Sequence, residues 1–407
     1  MLNPKTNQRE LCYVVTVGNI EPMIGYDNLE LATINGWHCV IGKDSMKKGD
    51  LAIYFEIDSR LPEAPPFCDN QAIVKYKYKI KTQKFGRGGI KYLSQGLLMP
   101  LSDFKDLDLE DFQEGDFLTK QLGVTYYEPE DNTRKASNEE LIKMKVEKRM
   151  ARWTKKHPFL SKFGFIVKIA TWFTEKKIRS KQTKSKRGAT AFPTHFPYIH
   201  KSDEERVENM PWILENKEPW VKTLKIDGTS STYILERLKG KNKFEFYVLS
   251  RNVRQLTPDQ KCYHDDNVYW EMAEKYNIEK FLKEQLEFHP DWTYVAIQGE
   301  TAGPAVQANP HGLKERQFFG FNFIDSADGR WGSVEARDYV AKWGIKWVPI
   351  VDENYILPDA MEEFKASADG PCELPDSTGL REGYVYRSLD GKQSFKNVSN
   401  QFLMSKK

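Results

Sequence analysis

The run Lys225-Ile226-Asp227-Gly228-Thr229-Ser230 carries the strongest chemical signal in the chain. On an extended strand, residues two apart point to one face, so this spacing sets an amine and a carboxylate side by side. Gly228 lets backbone come close to a ligand. An amine attacks an electrophile only when unprotonated, and a free lysine with a pKa near 10.4 leaves only ~1 molecule in 2,500 in that form at pH 7. A nucleophilic Lys225 therefore has to be desolvated or set beside other cations that depress its pKa. The plain alternative is an exposed strand end with a β-turn, because Lys-x-Asp-Gly is short and the chain is rich in lysine.

Further short elements follow in a fixed order. They are Ser250-Arg251-Asn252, Gln298-Gly299-Glu300, Phe318-Phe319-Gly320-Phe321, Arg381-Glu382-Gly383-Tyr384-Val385 and Ser394-Phe395-Lys396. Spread over about 170 residues, the series resembles the collinear motifs of the covalent nucleotidyltransferases, the ATP-dependent polynucleotide ligases and mRNA-capping enzymes. DNA ligases and capping enzymes typically carry Arg two positions after the motif glycine. Here Thr229-Ser230 follow Gly228, which together with Ser250-Arg251-Asn252 is similar to an RNA ligase. The stretches 36–62, 79–101 and 200–209 resemble the Deinococcus/Naegleria type of RNA ligase, which places an OB domain before its nucleotidyltransferase domain. The resemblance covers most of 11–125 and 192–403.

The resemblance implies an ATP-dependent RNA ligase active in RNA repair. Lys225 would attack the α-phosphorus of ATP to form a lysyl–AMP, AMP would pass to a 5′-phosphate, and a 3′-hydroxyl would displace it. In-line displacements at phosphorus need geometry and charge neutralisation, hence ATP with Mg²⁺ or Mn²⁺. The implied partner is RNA, or an RNA/DNA duplex with a nick and RNA on the 3′-hydroxyl side. The matched motifs imply that Glu300 binds the ribose hydroxyls, that Glu382 and Glu300 face the metal, and that Phe319 (Phe318 as the alternative) stacks on adenine. Asp227 belongs beside the metal or the 3′ end, and Lys396 on the α-phosphate. Arg251 and Asn252 orient the ribose and terminal nucleotide, and Lys201 and Arg206 steer pyrophosphate or the 5′-phosphate. One departure stands out. Many ligases carry Lys-x-Lys in the last motif, but Ser394 precedes Phe395-Lys396 here, so the pocket has one cation fewer. Part of the N-terminal segment is expected to compensate. The alternatives are a DNA ligase or capping-type guanylyltransferase, or a non-catalytic duplex-binding protein. Only the missing lysine favours the last, against an intact Lys225, Glu300 and Glu382.

These residues need elements to hold them. In 1–125, CYVVTV (12–17), GWHCVIG (36–42), DLAIYFEID (50–58), GLLMPL (96–101) and GDFLTKQL (115–122) read as short strands bounded by turn residues. They predict a five-stranded OB-like β-barrel. Lys81, Lys84 and Arg87, with Lys79 and Lys91, surround Gly86, Gly88 and Gly89 and are expected to contact a duplex. Residues 126–191 read as a basic helical linker: eighteen Lys/Arg and four acidic residues lie between Arg134 and Arg187. Such a stretch is either a solvated linker, a phosphate-contacting arm or a membrane-surface helix. Residues 192–407 alternate strands with helices at 268–289 and 333–344, a mixed α/β nucleotidyltransferase domain. The fold class is α+β.

Composition bounds the rest. With 407 residues, 61 Lys+Arg against 58 Asp+Glu, a net charge of +3 and 40% hydrophobic residues, the chain is long and apolar enough for two or three folded domains. It has no apolar run of membrane-spanning length and no secretory leader pattern at MLNPKTNQRE. Five scattered cysteines, none in Cys-x-x-Cys, argue against a disulfide scaffold or zinc ribbon and for a reducing, cytoplasmic interior. The seven histidines lack metal-ligand spacing and read as structural or surface residues. The expected oligomeric state is a monomer.

Overall fold

The structure, a computed structural model, describes residues 1–104, 112–127, 190–238, 243–258, 267–375 and 377–406, with scattered positions between 146 and 176. The amino-terminal part is built on strand Leu51–Phe55, which pairs antiparallel with Cys12–Thr16 on one side and Leu97–Pro100 on the other. Side-chain alternation lets these strands serve two cores at once. Tyr13, Val15, Ala52 and Tyr54 pack with Trp37 and Ile41, whereas Cys12, Val14, Ile53 and Phe55 pack with Phe67 and Phe104. Strands Ile20–Pro22, Leu29–Ile34 and Trp37–Gly42 form a meander that covers the first core, and Gln83–Arg87 and Ile90–Ser94 form a hairpin. The OB-like barrel expected from sequence is the fold found.

One of its predicted strands is not a strand. Residues 115–122 run beside Cys12–Thr16 through the Tyr13–Phe117 bridge and the hydrogen bonds Val14 N–H to Asp116 O and Leu118 N–H to Cys12 O. The chain then turns at Leu122 and Gly123, whose φ of 63° a side chain rarely adopts. Of the basic linker, the described helical positions include Val146, Met150, Trp153, Val167 and Ala170, which share a small apolar cluster. The remainder of the 134–187 arm, including its opening at Ser137-Asn138, lies outside the described residues.

The carboxy-terminal part holds two sheets. The larger runs in the order Thr190–Ala191, Val253–Arg254, Phe244–Ser250, Thr229–Arg237, Tyr294–Ala302, Gln317–Asp325, Gly329–Arg330. The smaller runs Glu205–Arg206, Ser394–Val398, Gly383–Ser388, Trp220–Leu224, Ile350–Tyr355. The apolar stretch 268–289 forms two helices, Val268–Lys275 and Ile278–Phe288, broken where Asn277 takes a φ of 49°. Their buried Met272, Ile278, Phe281, Leu282 and Leu286 join the core that underlies the larger sheet. Helix Ser333–Ala341 ends near Gly344 (φ 71°), as the sequence suggested. Among the described residues no helix is long and apolar enough to cross a membrane.

The two parts touch at several points. Arg206 lies over the Trp37 ring at 5.6 Å, and the Gly36 turn fits against Lys365, Met361 and Glu208. Lys84 Nζ and Lys91 Nζ donate to the carbonyls of Lys406 and Met404, at the end of helix Asn400–Ser405. Cations at a helix carboxy terminus satisfy its orphan carbonyls.

Candidate active site

The smaller sheet's strand Trp220–Leu224 ends one residue before Lys225, and the larger sheet's strand Thr229–Arg237 begins one residue after Gly228. Residues 225–228 are therefore the crossing from one sheet to the other. The sequence reading placed Lys225 and Asp227 on one face of a continuous strand; the turn replaces it, because ladder pairing stops at Leu224 and resumes at Thr229. Backbone anchors fix the crossing: Lys225 N–H donates to Gly383 O at 2.9 Å, and Asp227 N–H donates to His311 Nε2 at 2.8 Å. Gly228 is obligatory for space, since a Cβ there would lie 2.2 Å from Thr301 O.

A cavity of about 320 Å³ opens at this crossing. Lys225, Asp227, Arg251, Glu300, Glu382 and Lys396, all singled out from sequence, line it together. Lys225 Nζ lies 2.8 Å from Glu382 Oε2. Burial alone would lower the amine's proton affinity, but Glu382, Glu300 and Asp227 outweigh it and hold the ammonium above the ordinary lysine range. This corrects the expectation of a depressed lysine in the ligand-free chain, because carboxylates rather than cations surround the amine. Burial, with Glu382 and Asp227 nearby, pushes the Glu300 carboxyl up to about 8 against the pull of Lys225. Glu382 is held below its ordinary value: burial opposes this, but the Lys225 ammonium outweighs it, with a smaller contribution from Lys406.

At the other side, Asp203 accepts from Lys396 Nζ at 2.9 Å and from the Arg251 guanidinium. Arg387, buried, donates to Thr223 Oγ1 at 3.1 Å and pairs with Glu204 at 3.0 Å, with its guanidinium 5.6 Å from the Phe321 ring centre. Four cationic side chains (Lys225, Arg251, Arg387, Lys396) and five carboxylates (Asp203, Glu204, Asp227, Glu300, Glu382) line the cavity. A highly anionic ligand thus meets no net positive charge from the lining alone, so it has to arrive with cations.

The remaining expected residues lie elsewhere. Phe319 is buried in the core and lines a separate apolar cavity with Trp347, Ile345 and Leu374; Phe321, two residues on, lines the Lys225 cavity instead. A register irregularity between Gln298 and Gly299 against this strand shifts which ring faces the cavity. Arg206 is turned to Trp37, and Lys201 and Asn252 are exposed outside the lining. Lys84 is occupied by the Lys406 carbonyl, Arg87 donates to Gly25 O at 2.7 Å, and Lys81 lies 5.4 Å from the Tyr127 ring centre.

Sequence reasoning missed His311, Phe321, Asp203, Arg387 and Lys406. Lys406 Nζ pairs with Asp227 Oδ2. Phe321 stood within a motif that the sequence singled out and Asp203 within the 200–209 stretch; His311, Arg387 and Lys406 carry no spacing signal. His311 is wholly buried, which holds its imidazole below the ordinary histidine range against the opposing charges of Glu382 and Asp227.

An OB-fold domain family model matches residues 11–101, and an RNA ligase family model matches residues 218–399. Residues 218–399 thus carry an RNA ligase domain, preceded by an OB-fold domain. None of the curated proteins matches it in sequence. Among solved structures, a ligand-free variant of the Naegleria gruberi RNA ligase is similar over 98% of this chain and 99% of its own, at 28% identity and a TM-score of 0.63. A variant of the same ligase with AMP and Mn is similar at 27% identity and a TM-score of 0.62, covering 98% and 99% of the two chains. Its complex with PPi is similar at 28% identity and a TM-score of 0.60, covering 97% and 98%. The RNA ligase family model spans the whole two-sheet crossing, from the strand that leads into Lys225 to the strand that carries Lys396.

Proposed function

We propose that this chain is an RNA ligase that uses ATP and seals 3′-hydroxyl/5′-phosphate ends through a lysyl–AMP at Lys225. Its favoured substrate is a nick in a duplex with RNA on the 3′-hydroxyl side, the task is RNA repair, and it acts as a monomer. The observation that carries this reading is Lys225 Nζ at 2.8 Å from Glu382 at the crossing of two sheets, inside a cavity that also holds Glu300 and Lys396. The similar Naegleria gruberi ligase structures with AMP and Mn, with ATP and Mn and with PPi support the same choice of substrates.

In the first step the Lys225 amine bonds to the α-phosphorus, the bond to the bridging oxygen breaks, and pyrophosphate leaves. In the second a 5′-phosphate oxygen displaces the lysine and takes AMP. In the third a 3′-hydroxyl oxygen displaces AMP, which closes the strand and releases a proton. Lys225 has to lose its proton and its Glu382 partner before the first step. Lys396 and Arg251 are held by Asp203 and exchange that carboxylate for phosphate oxygens. Phe321 offers a ring face to the base, and Glu300, a proton carrier near neutral pH, can donate to or accept from the ribose hydroxyls.

Among the described residues no group of three or more His, Cys, Asp or Glu side chains is arranged to hold a metal by itself. The paired carboxylates of Glu382 and Glu300 nonetheless fit a hard cation such as Mg²⁺ or Mn²⁺ whose other ligands are phosphate oxygens and water. Such an ion, when bound, supplies the positive charge that the lining lacks and lowers the proton affinity of the neighbouring amine.

Intact-mass measurement after incubation with ATP and a divalent ion tests the reading. The expected result is a gain of one AMP per chain, reversed by pyrophosphate. No adduct from any nucleoside triphosphate would overturn it.

A further inference from the structure

We propose that His311 is a positioning residue, a neutral imidazole whose bare Nε2 holds the Asp227 amide and thereby aims Lys225. The proposal rests on the reading of Lys225 as the nucleophile, and its structural half stands without it. Both ring nitrogens of the buried His311 are engaged: Nε2 faces the Asp227 N–H at 2.8 Å, and Nδ1 faces Cys372 Sγ at 3.5 Å. A backbone N–H can only donate, so Nε2 has to be the unprotonated nitrogen. Nδ1 then bears the ring proton and gives it to the sulfur of Cys372. The backbone amide thus selects the tautomer.

The position of this contact gives it leverage. Asp227 lies in the gap where neither sheet's ladder reaches, so its amide has no strand partner. The Asp227 carboxylate is tied separately, to Lys406 at 2.8 Å. His311 itself is rigidly mounted. It follows a loop in which Ala305, Gln307, Ala308 and Asn309 all have positive φ, a costly arrangement that persists only when its surroundings enforce it. The Asn309 side chain accepts from Leu313 N–H at 3.0 Å and donates to Leu313 O at 2.9 Å, closing the loop across His311. An imidazole held this firmly transmits the loop's position to the backbone two residues beyond Lys225. In-line attack tolerates little misplacement, since about 1 Å costs on the order of 10²-fold in rate.

The test is single-turnover transfer of label from α-labelled ATP to the full chain carrying His311→Ala, His311→Gln or His311→Asn. A glutamine carbonyl can reach the position of Nε2 and accept the amide; the shorter asparagine cannot. The expected result is a loss of about 10²-fold in the rate constant for His311→Ala and His311→Asn, a KM for ATP within about 3-fold of wild type, and recovery of most of the rate in His311→Gln. Wild-type rates in His311→Ala, or a His311→Gln as slow as His311→Ala, would overturn the proposal. Because alanine at a buried site can unfold the chain, a second measurement is made on the unaltered protein. In ¹⁵N-labelled protein, a coupling across the hydrogen bond between the Asp227 amide nitrogen and His311 Nε2 is expected, and a protonated Nε2 would overturn the assignment. If the wild type takes no label from any nucleotide, the ligase reading fails while this coupling still decides the role of His311 in the turn.

Discussion

Lys406 Nζ lies 2.8 Å from Asp227 Oδ2, so a helix at one end of the chain reaches the turn that carries Lys225. The same helix end is clasped by Lys84 and Lys91 of the amino-terminal hairpin. Ser394 leaves the last motif one cation short, and Lys406 brings a cation from a different element to Asp227, a carboxylate of the cavity lining. Lys406→Ala is expected to raise the KM for ATP several-fold while Lys406→Arg retains most of the affinity. Stability should change by less than ~1 kcal/mol, because the lysine is partly exposed and its pair is screened. Initial rates of label transfer against ATP concentration check this; an unchanged KM would assign Lys406 to the helix end alone.

Replacing Lys225 by Ala is expected to abolish the AMP adduct while circular dichroism stays native. The lost amine removes the partner of Glu382, whose carboxyl is held low by that ammonium, so its proton affinity should rise in the variant. Intact mass after exposure to ATP decides the first part, and full adduct formation on the variant would place the nucleophile elsewhere.

Glu300 sets a pH dependence of stability. Its folded-state pKa of about 8 lies above the ordinary carboxylate value of 4.5, so the folded chain binds its proton more tightly than the unfolded chain does. The stabilisation from this group is complete below about 4.5 and is lost as pH rises through about 8. Urea unfolding midpoints measured across that window should fall with pH, and Glu300→Gln should flatten the fall.

Phe321 and Phe319 should separate cleanly on mutation. Phe319→Ala is expected to cost about 3–5 kcal/mol of folding stability, as for a ring lost from a packed core. Phe321→Ala should instead leave the unfolding midpoint close to wild type and raise the KM for ATP, because that ring lines the cavity. Equal effects of the two on KM would return the base-stacking role to Phe319.

If Lys81 and Arg87 meet phosphates, replacing both by Ala should flatten the log–log salt dependence of nicked-duplex binding by about 2 units. Equilibrium titrations between low and moderate salt measure that slope, and an unchanged value would leave those side chains to their contacts with Tyr127 and Gly25.

Much of the site was readable along the chain because covalent phosphorus chemistry demands particular groups in a particular order. Lys225 and Glu382 flank recognisable strands and Glu300 and Lys396 lie within them, and local patterning reports strands well. Phe319 went astray because one irregularity in register exchanges which ring faces which side, and no composition rule reveals a bulge. The splitting of 268–289 was hidden for a similar reason: apolar spacing continues through Asn277, and only its left-handed backbone breaks the helix.

What the chain alone determined was the inventory: a β-rich leading domain, a mixed trailing domain, and an amine with two carboxylates fit for nucleotidyl transfer. Tertiary structure decided which of them meet and in what protonation state. Lys225 is an ammonium and Glu300 is an acid near neutral pH because two sheets bring three carboxylates around one amine away from water. His311 and Lys406 joined the site through contacts 84 and 179 residues away from Asp227, separations that no local period can encode. Local sequence reports propensity and facing, whereas the energy of a buried charge depends on neighbours that only the folded chain assembles.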